Sequence, residues 1–193
     1  MDFNEAVKQR KSVRSFLKKR ASWKDAIDAI DAALQGPFAG NNTNMRFIIV
    51  EDREMLQDLA SLAEQLWMAE ASLFIIVVSD DIHLENMYGE RGRVYSRQQA
   101  GAVIQTILLS LTNTGLSGCW VGSYPDELIK EKLKIPQHMQ IEAIIPVGYE
   151  LPQKGSAGRK KRSLETTVHW ERWGNKRRPT IFEEDKEDYR PPS

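Results

Sequence analysis

Leu73-Phe74-Ile75-Ile76-Val77-Val78 is the stretch on which the fold turns. An unbroken apolar run, rich in β-branched and aromatic side chains and bounded by Ser72 and Ser79, describes a strand covered on both faces. Working outward, Arg46–Glu51, with Phe47-Ile48-Ile49-Val50, reads as another buried strand, Gly118–Val121 as a short one and Gln140–Tyr149 as the last clear one. Between them lie helical patterns. Asp2–Gln9 places Phe3, Ala6 and Val7 on one face, and Ser22 with Asp25 caps a helix that runs to about Leu34, where Gly36-Pro37 stops it. Another helix spans about Arg53–Ala69. Ser96 with Gln99 reads as a second capping box, opening a central helix with Ala100, Val103, Ile104, Ile107, Leu108 and Leu111 on a wide apolar face and Gly115 at its end. Pro125 marks the first turn of a further helix. Asp80–Tyr95 reads as a long polar connection, of a length that compact domains use for lids, binding segments or mobile loops. Strands and helices therefore alternate irregularly, as in a three-layer α+β or α/β arrangement.

The chain has 193 residues, enough for one domain with a substantial core, and its 27 Lys+Arg balance 27 Asp+Glu. Neutrality argues against a dedicated nucleic-acid binder, leaving a weak basic-patch module as the residual version of that class. No apolar run approaches the roughly 20 residues a membrane span requires, and the polar start Met1-Asp2-Phe3-Asn4-Glu5 lacks a secretory core, so a cytoplasmic protein is expected. One cysteine, Cys119, cannot form an internal disulfide, and His83, His138 and His169 have no metal-ligand spacing. From Pro152 onward the chain mixes glycine, proline and charge with the large apolar groups Trp170, Trp173, Ile181 and Phe182, which suits docking on a partner protomer.

Several segments bear on chemistry. In Arg10-Lys11-Ser12-Val13-Arg14 an extended backbone would turn Arg10, Ser12 and Arg14 the same way, two guanidinium forks and a hydroxyl suited to one oxyanion. The same residues also read as a solvated basic helix end. Arg159-Lys160-Lys161-Arg162 becomes informative only if it converges on that first cluster. Gly115-Leu116-Ser117-Gly118-Cys119-Trp120-Val121-Gly122 allows backbone to approach a flat ligand, but a helix enters it where a dinucleotide fingerprint requires a strand. Cys119 reads as a small buried residue rather than a nucleophile. No hydrolase motif occurs.

In their joint order these segments resemble the nitroreductase superfamily over roughly Met1 to Trp170. Arg10-Lys11-Ser12-Val13-Arg14-Ser15-Phe16 is similar to the family's opening. Ala32-Ala33-Leu34-Gln35-Gly36-Pro37-Phe38-Ala39-Gly40-Asn41-Asn42-Thr43 is similar to its alanine-rich helix end and following loop. Tyr88-Gly89-Glu90-Arg91-Gly92, Gln99–Gly115, Gly115–Gly122 and Ile145-Pro146-Val147-Gly148-Tyr149 complete the pattern. The resemblance implies an α/β/α fold with a mostly antiparallel central sheet and a domain-swapped C-terminal tail: an FMN-binding domain over residues 1–170 and an extension over 171–193 wrapping the partner. It implies a homodimer with FMN at the interface that passes hydride from NADH or NADPH, through flavin N5, to a small oxidised acceptor such as a nitroaromatic or quinone. A flavin-binding homodimer with a specialised, dehalogenase-like or slight activity is the alternative.

By the same resemblance, Arg10, Lys11 and Ser12 lie near the phosphate and ribityl chain, and Arg14 near the pyrimidine edge. Pro37, Phe38, Ala39 and Asn41 approach the ring from the other protomer. Backbone at Val121, Gly122 and Ser123 lies by N5, Arg159 and Lys161 close on the phosphate, and no side chain acts as nucleophile or general acid. Three positions depart from the family pattern: Phe38 stands for its usual serine, Thr43 for its glutamine, and Gln98-Gln99 for its Gln-Asp. Charge is unevenly spread to match. Met1–Arg20 carries a surplus of five cations and Lys154–Arg162 another five, leaving minus ten over the rest.

Overall fold

The computed structural model describes residues 1–152 and 167–176. Its helices are α1 (Phe3–Gln9), α2 (Trp23–Leu34), α3 (Arg53–Leu62), α4 (Asp81–Tyr88), α5 (Arg91–Asn113) and α6 (Asp126–Leu133). Its strands are β1 (Met45–Val50), β2 (Leu73–Ser79), β3 (Ser117–Gly118) and β4 (Gln140–Gly148), in the order β1-β2-β4-β3 with every neighbouring pair antiparallel. The fold is α+β.

Each residue of β2 is buried, and the alternation along it divides the core in two. Leu73, Ile75 and Val77 join Ala143, Ile145 and Val147 of β4 beneath α2 and α5. Phe74, Ile76 and Val78 join Ile144 on the opposite face, against Leu56 and Leu59 of α3 and Ile129 of α6. Three layers result, because a strand apolar at every position needs cover on both sides; each such side chain removed from water contributes about 1.5–3 kcal/mol. β1 behaves differently from its expected burial. It is an edge strand, so Phe47, Ile48 and Ile49 are only half-buried.

Local signals hold at several boundaries. The backbone N–H of Ser22 donates to Asp25 Oδ2 at 3.2 Å, and Ser22 Oγ accepts from Lys24 N–H at 3.2 Å, which starts α2. Gly115, at φ +80°, closes α5: its N–H donates to Thr112 O at 3.1 Å and that of Leu116 to Leu111 O at 2.9 Å. Pro125 is the N-cap of α6, one place before the first turn.

Three expectations are corrected. The single helix over Arg53–Ala69 is α3 followed by a separate 3-10 turn, Leu66–Glu70, because Glu64 adopts φ +54° and turns the chain. The connection Asp80–Tyr95 is not a loop. Asp80 caps α4 by accepting from Ile82 N–H at 3.1 Å, and α5 begins already at Arg91. Helix α4 buries Asp81 and Leu84 while Ile82, Met87 and Tyr88 stay exposed, so no apolar stripe announces it. The turn from α4 into α5 is sharp, since a Cβ on Gly92 would overlap the backbone of Leu84. Consequently Ser96 and Gln99 do not cap α5 but lie buried within it.

Met1–Pro152 forms one unit and the chain from Gln153 a second. In the second, Trp173 stacks on His169 with ring centroids 4.1 Å apart and is otherwise 92% exposed. Arg159, Lys161, Ile181 and Phe182 lie outside the described residues, as does most of the expected extension over 171–193. Among the described residues no helix is long and apolar enough to cross a membrane.

Candidate functional site

Helix α1 ends where Arg10 leaves the helical conformation, its N–H closing the last turn on Ala6 O at 2.8 Å. From there the chain runs extended beside β3. Val13 N–H donates to Gly118 O at 3.2 Å, and Ser12 forms a parallel bridge with Gly118. Val13 is buried, whereas Lys11, Ser12 and Arg14 are exposed. From Arg10 the backbone is thus extended rather than helical, the conformation the first of the two readings assumes. Gly118 itself packs closely on α5 and β4: a Cβ there would meet Ile145 Cγ2, Leu108 Cδ2 and Pro146 O, each at 3.2 Å. Lys11 Nζ lies 2.7 Å from Glu150 Oε1, and the Arg14 guanidinium sits over the Trp67 ring, 5.9 Å from its centroid.

The segment after Gly118 is pinned at both ends. Cys119 is buried, and Val121 exchanges two backbone hydrogen bonds with Ile144, each 3.0 Å. Ser123 O accepts from Gln65 Nε2 at 3.0 Å, and Tyr124 Oη donates to Ile141 O at 3.0 Å. Burial, with a smaller contribution from Asp126, pushes the Tyr124 phenol well above its ordinary pKa, so it remains a neutral donor. Between these anchors Gly122 and Ser123 are exposed. One chain thus brings Arg10–Arg14 beside the stretch leading to Val121, Gly122 and Ser123. Lys11, Ser12 and Arg14 supply an ammonium, a hydroxyl and a guanidinium, a donor set whose chemistry suits an anion such as a phosphate.

Pro37, Phe38, Ala39 and Asn41 are held elsewhere, at the end of α2. Ala39–Asn41 forms a 3-10 turn in which Gly40 and Asn41 are left-handed, at φ +60° and +56°. A Cβ on Gly40 would lie 2.6 Å from Tyr88 Oη, so the absence of one lets the end of α4 close on the turn. Ala39 N–H donates to Gln99 Oε1 at 2.7 Å, which ties the loop to α5. Phe38, where the family pattern has serine, packs partly against the core beneath α2 and α5. Gln65, Tyr124 and Gln99 carry these placements, and their roles escaped the sequence. Gln65 and Tyr124 belong to no motif, and an i, i+3 pair such as Ser96 and Gln99 looks the same whether it caps a helix or lines a buried face.

The family model for the nitroreductase family matches residues 56–149, a span that includes Val121–Ser123 but not Arg10–Arg14. A Methanothermobacter thermautotrophicus protein provisionally named NADH dehydrogenase/NAD(P)H nitroreductase is 32% identical over 180 residues, 90% of this chain and 88% of its own. The iodotyrosine deiodinase of Thermotoga neapolitana is 27% identical over 162 residues, 75% of this chain and 87% of its own. Among solved structures, the nitroreductase family protein of Clostridium novyi NT superposes with a TM-score of 0.70 at 25% identity, covering 91% of this chain and 96% of that one. On fold and on sequence, this chain belongs to the nitroreductase family.

Proposed function

We propose that the chain is an FMN-dependent oxidoreductase, acting as a homodimer, that carries reducing equivalents from NADH or NADPH to a small oxidised acceptor. The observation that carries this reading is the pairing of Ser12 and Val13 with Gly118, which joins the segment bearing the exposed cations to the strand that leads into the accessible backbone at Gly122 and Ser123. When bound, FMN would supply the redox chemistry that joins the nicotinamide donor to the acceptor. Arg10, Lys11 and Ser12 hold the phosphate end, and in this reading Arg159 and Lys161 add to them. Arg14 faces the pyrimidine edge, where a cation favours the negative charge of the reduced ring. The backbone at Val121, Gly122 and Ser123, exposed at the last two, would lie by N5.

The dimer rests on exposed apolar side chains. Phe3 and Val7 of α1, and Trp23 and Ile27 of α2, are each an i, i+4 pair, exposed at 69%, 37%, 49% and 45%. Both helices pack on α5, so these pairs form apolar surface that a second copy would cover. In that dimer the Pro37, Phe38, Ala39 and Asn41 loop of one protomer reaches the flavin held by the other. The purified protein is expected to sediment as a dimer, to take up added FMN, and to lose its flavin absorbance anaerobically on addition of NADH or NADPH. A protein that takes up no FMN overturns the reading. Similarity to an iodotyrosine deiodinase favours a second acceptor class, halogenated phenols. Halide release from such a phenol by the reduced protein, without turnover of nitroaromatics or quinones, would select it.

A further inference from the structure

A chain of buried polar side chains links the Pro37–Asn41 loop to a cavity on the far side of α4. Gln99, Asn44, Ser96 and Asp81 are 5%, 1%, 0% and 8% exposed. Gln99 Oε1 accepts from Ala39 N–H at 2.7 Å, and Gln99 Nε2 donates to Asn44 Oδ1 at 2.9 Å. Asn44 Nδ2 donates to Ser96 Oγ at 2.8 Å and to Asp80 O at 3.0 Å, and Ser96 Oγ donates to Asp81 Oδ1 at 2.6 Å. Asp81 pairs with Arg97, which also pairs with Glu142, at a cavity of about 590 Å3.

The direction of every link is fixed at both ends. An ionised carboxylate only accepts, so Ser96 must donate to it and accept from the Asn44 amide nitrogen. Asn44 then has only its oxygen to offer Gln99. The Gln99 amide is forced to spend its nitrogen on Asn44 and present its oxygen to Ala39 N–H. The Asp80 carbonyl likewise only accepts and the Ala39 N–H only donates, so the reverse order would set acceptor against acceptor at Asp80 and donor against donor at Ala39. We infer that Gln99 is a positioning residue for the Pro37–Asn41 loop, its amide oriented by Asn44, which is itself held by Ser96 and the Asp80 carbonyl. The inference deepens the proposed function and rests on it where the loop's effect on flavin and acceptor is concerned.

The test compares wild type with Gln99→Met, Gln99→Glu, Asp81→Asn and Glu142→Gln, each first shown to be folded by its circular dichroism. Amide hydrogen exchange at Ala39 is read in protein without flavin, then FMN dissociation constants, then KM and kcat for an acceptor quinone. Gln99→Met is expected to speed exchange at Ala39 at least tenfold and to raise the FMN dissociation constant and acceptor KM roughly tenfold, with kcat changed less than twofold, whereas Asp81→Asn, whose side-chain oxygen still accepts from Ser96, keeps the protection at Ala39. Gln99→Glu keeps the acceptor for Ala39 and retains its protection. Glu142→Gln, which alters Arg97 but not the chain of bonds, behaves as wild type. Wild-type exchange at Ala39 in Gln99→Met would overturn the hold of Gln99 on the loop, and unchanged FMN affinity and KM in Gln99→Met would overturn the positioning role. If wild type binds no FMN, the proposed function fails while the exchange measurements still decide whether Gln99 holds the loop.

Discussion

The basic edge at Arg10–Arg14 and the polar chain at Asn44, Ser96 and Gln99 are built in opposite ways. The first is positioned by its backbone: Val13 N–H bonds to Gly118 O, Val13 is buried, and its cations stand exposed on a strand-like edge. The second is positioned by side chains, with buried amides and a hydroxyl holding one another and the loop at Ala39. A surface set by main-chain bonds tolerates changes in the side chains it displays, which leaves them open to selection by a ligand. A buried side-chain network has no such latitude, since each lost partner strands another polar atom away from water.

That contrast can be broken by substitution. Asn44→Leu removes two donated bonds and one accepted bond in a buried site, and is expected to cost roughly 3–5 kcal/mol, read as a lower urea midpoint at unchanged m-value. A loss below about 1 kcal/mol would show that the network carries little weight. Lys11→Gln alters a half-exposed pair with Glu150, so stability should change by less than about 1 kcal/mol. Its FMN dissociation constant should nonetheless rise roughly tenfold, the equivalent of about 1.4 kcal/mol for one phosphate contact. If stability falls and FMN affinity does not, the basic edge is structural. Tyr124→Phe lies between the two cases, since it removes one buried bond that anchors an exposed segment. A loss of about 1 kcal/mol is expected at neutral pH. The unfolded phenol ionises above its ordinary 10.0, while the folded one is held protonated by burial. Wild type therefore loses that contribution as pH climbs past 10, and the stability gap to Tyr124→Phe should narrow there.

Much of the architecture was legible before the structure. β2 announced itself by an apolar run with no polar face, and α2 and α5 by wide stripes with a capping box at one start and Gly115 at the other's end. What went unread has a common cause. Helix α4 spends its inward face on Asp81 and Leu84 and leaves Ile82, Met87 and Tyr88 outside, so hydrophobic periodicity had nothing to detect. Ser96 and Gln99 have the residue types and spacing of a cap, and only the packing of Gly92 against Leu84 moves the helix start upstream to Arg91.

The sequence alone determined which residues must leave water and therefore the layered α+β core around β2, because burial depends on the pattern of apolar side chains and little else. It also determined the family, through motifs kept in order. Only the tertiary structure decided which polar groups meet. That Gln65 should hold Ser123, or Gln99 the N–H of Ala39, depends on donors and acceptors far apart in the chain arriving within 3 Å of each other. Hydrogen bonds are directional and short, so their partners are chosen by the packed arrangement rather than by any local pattern.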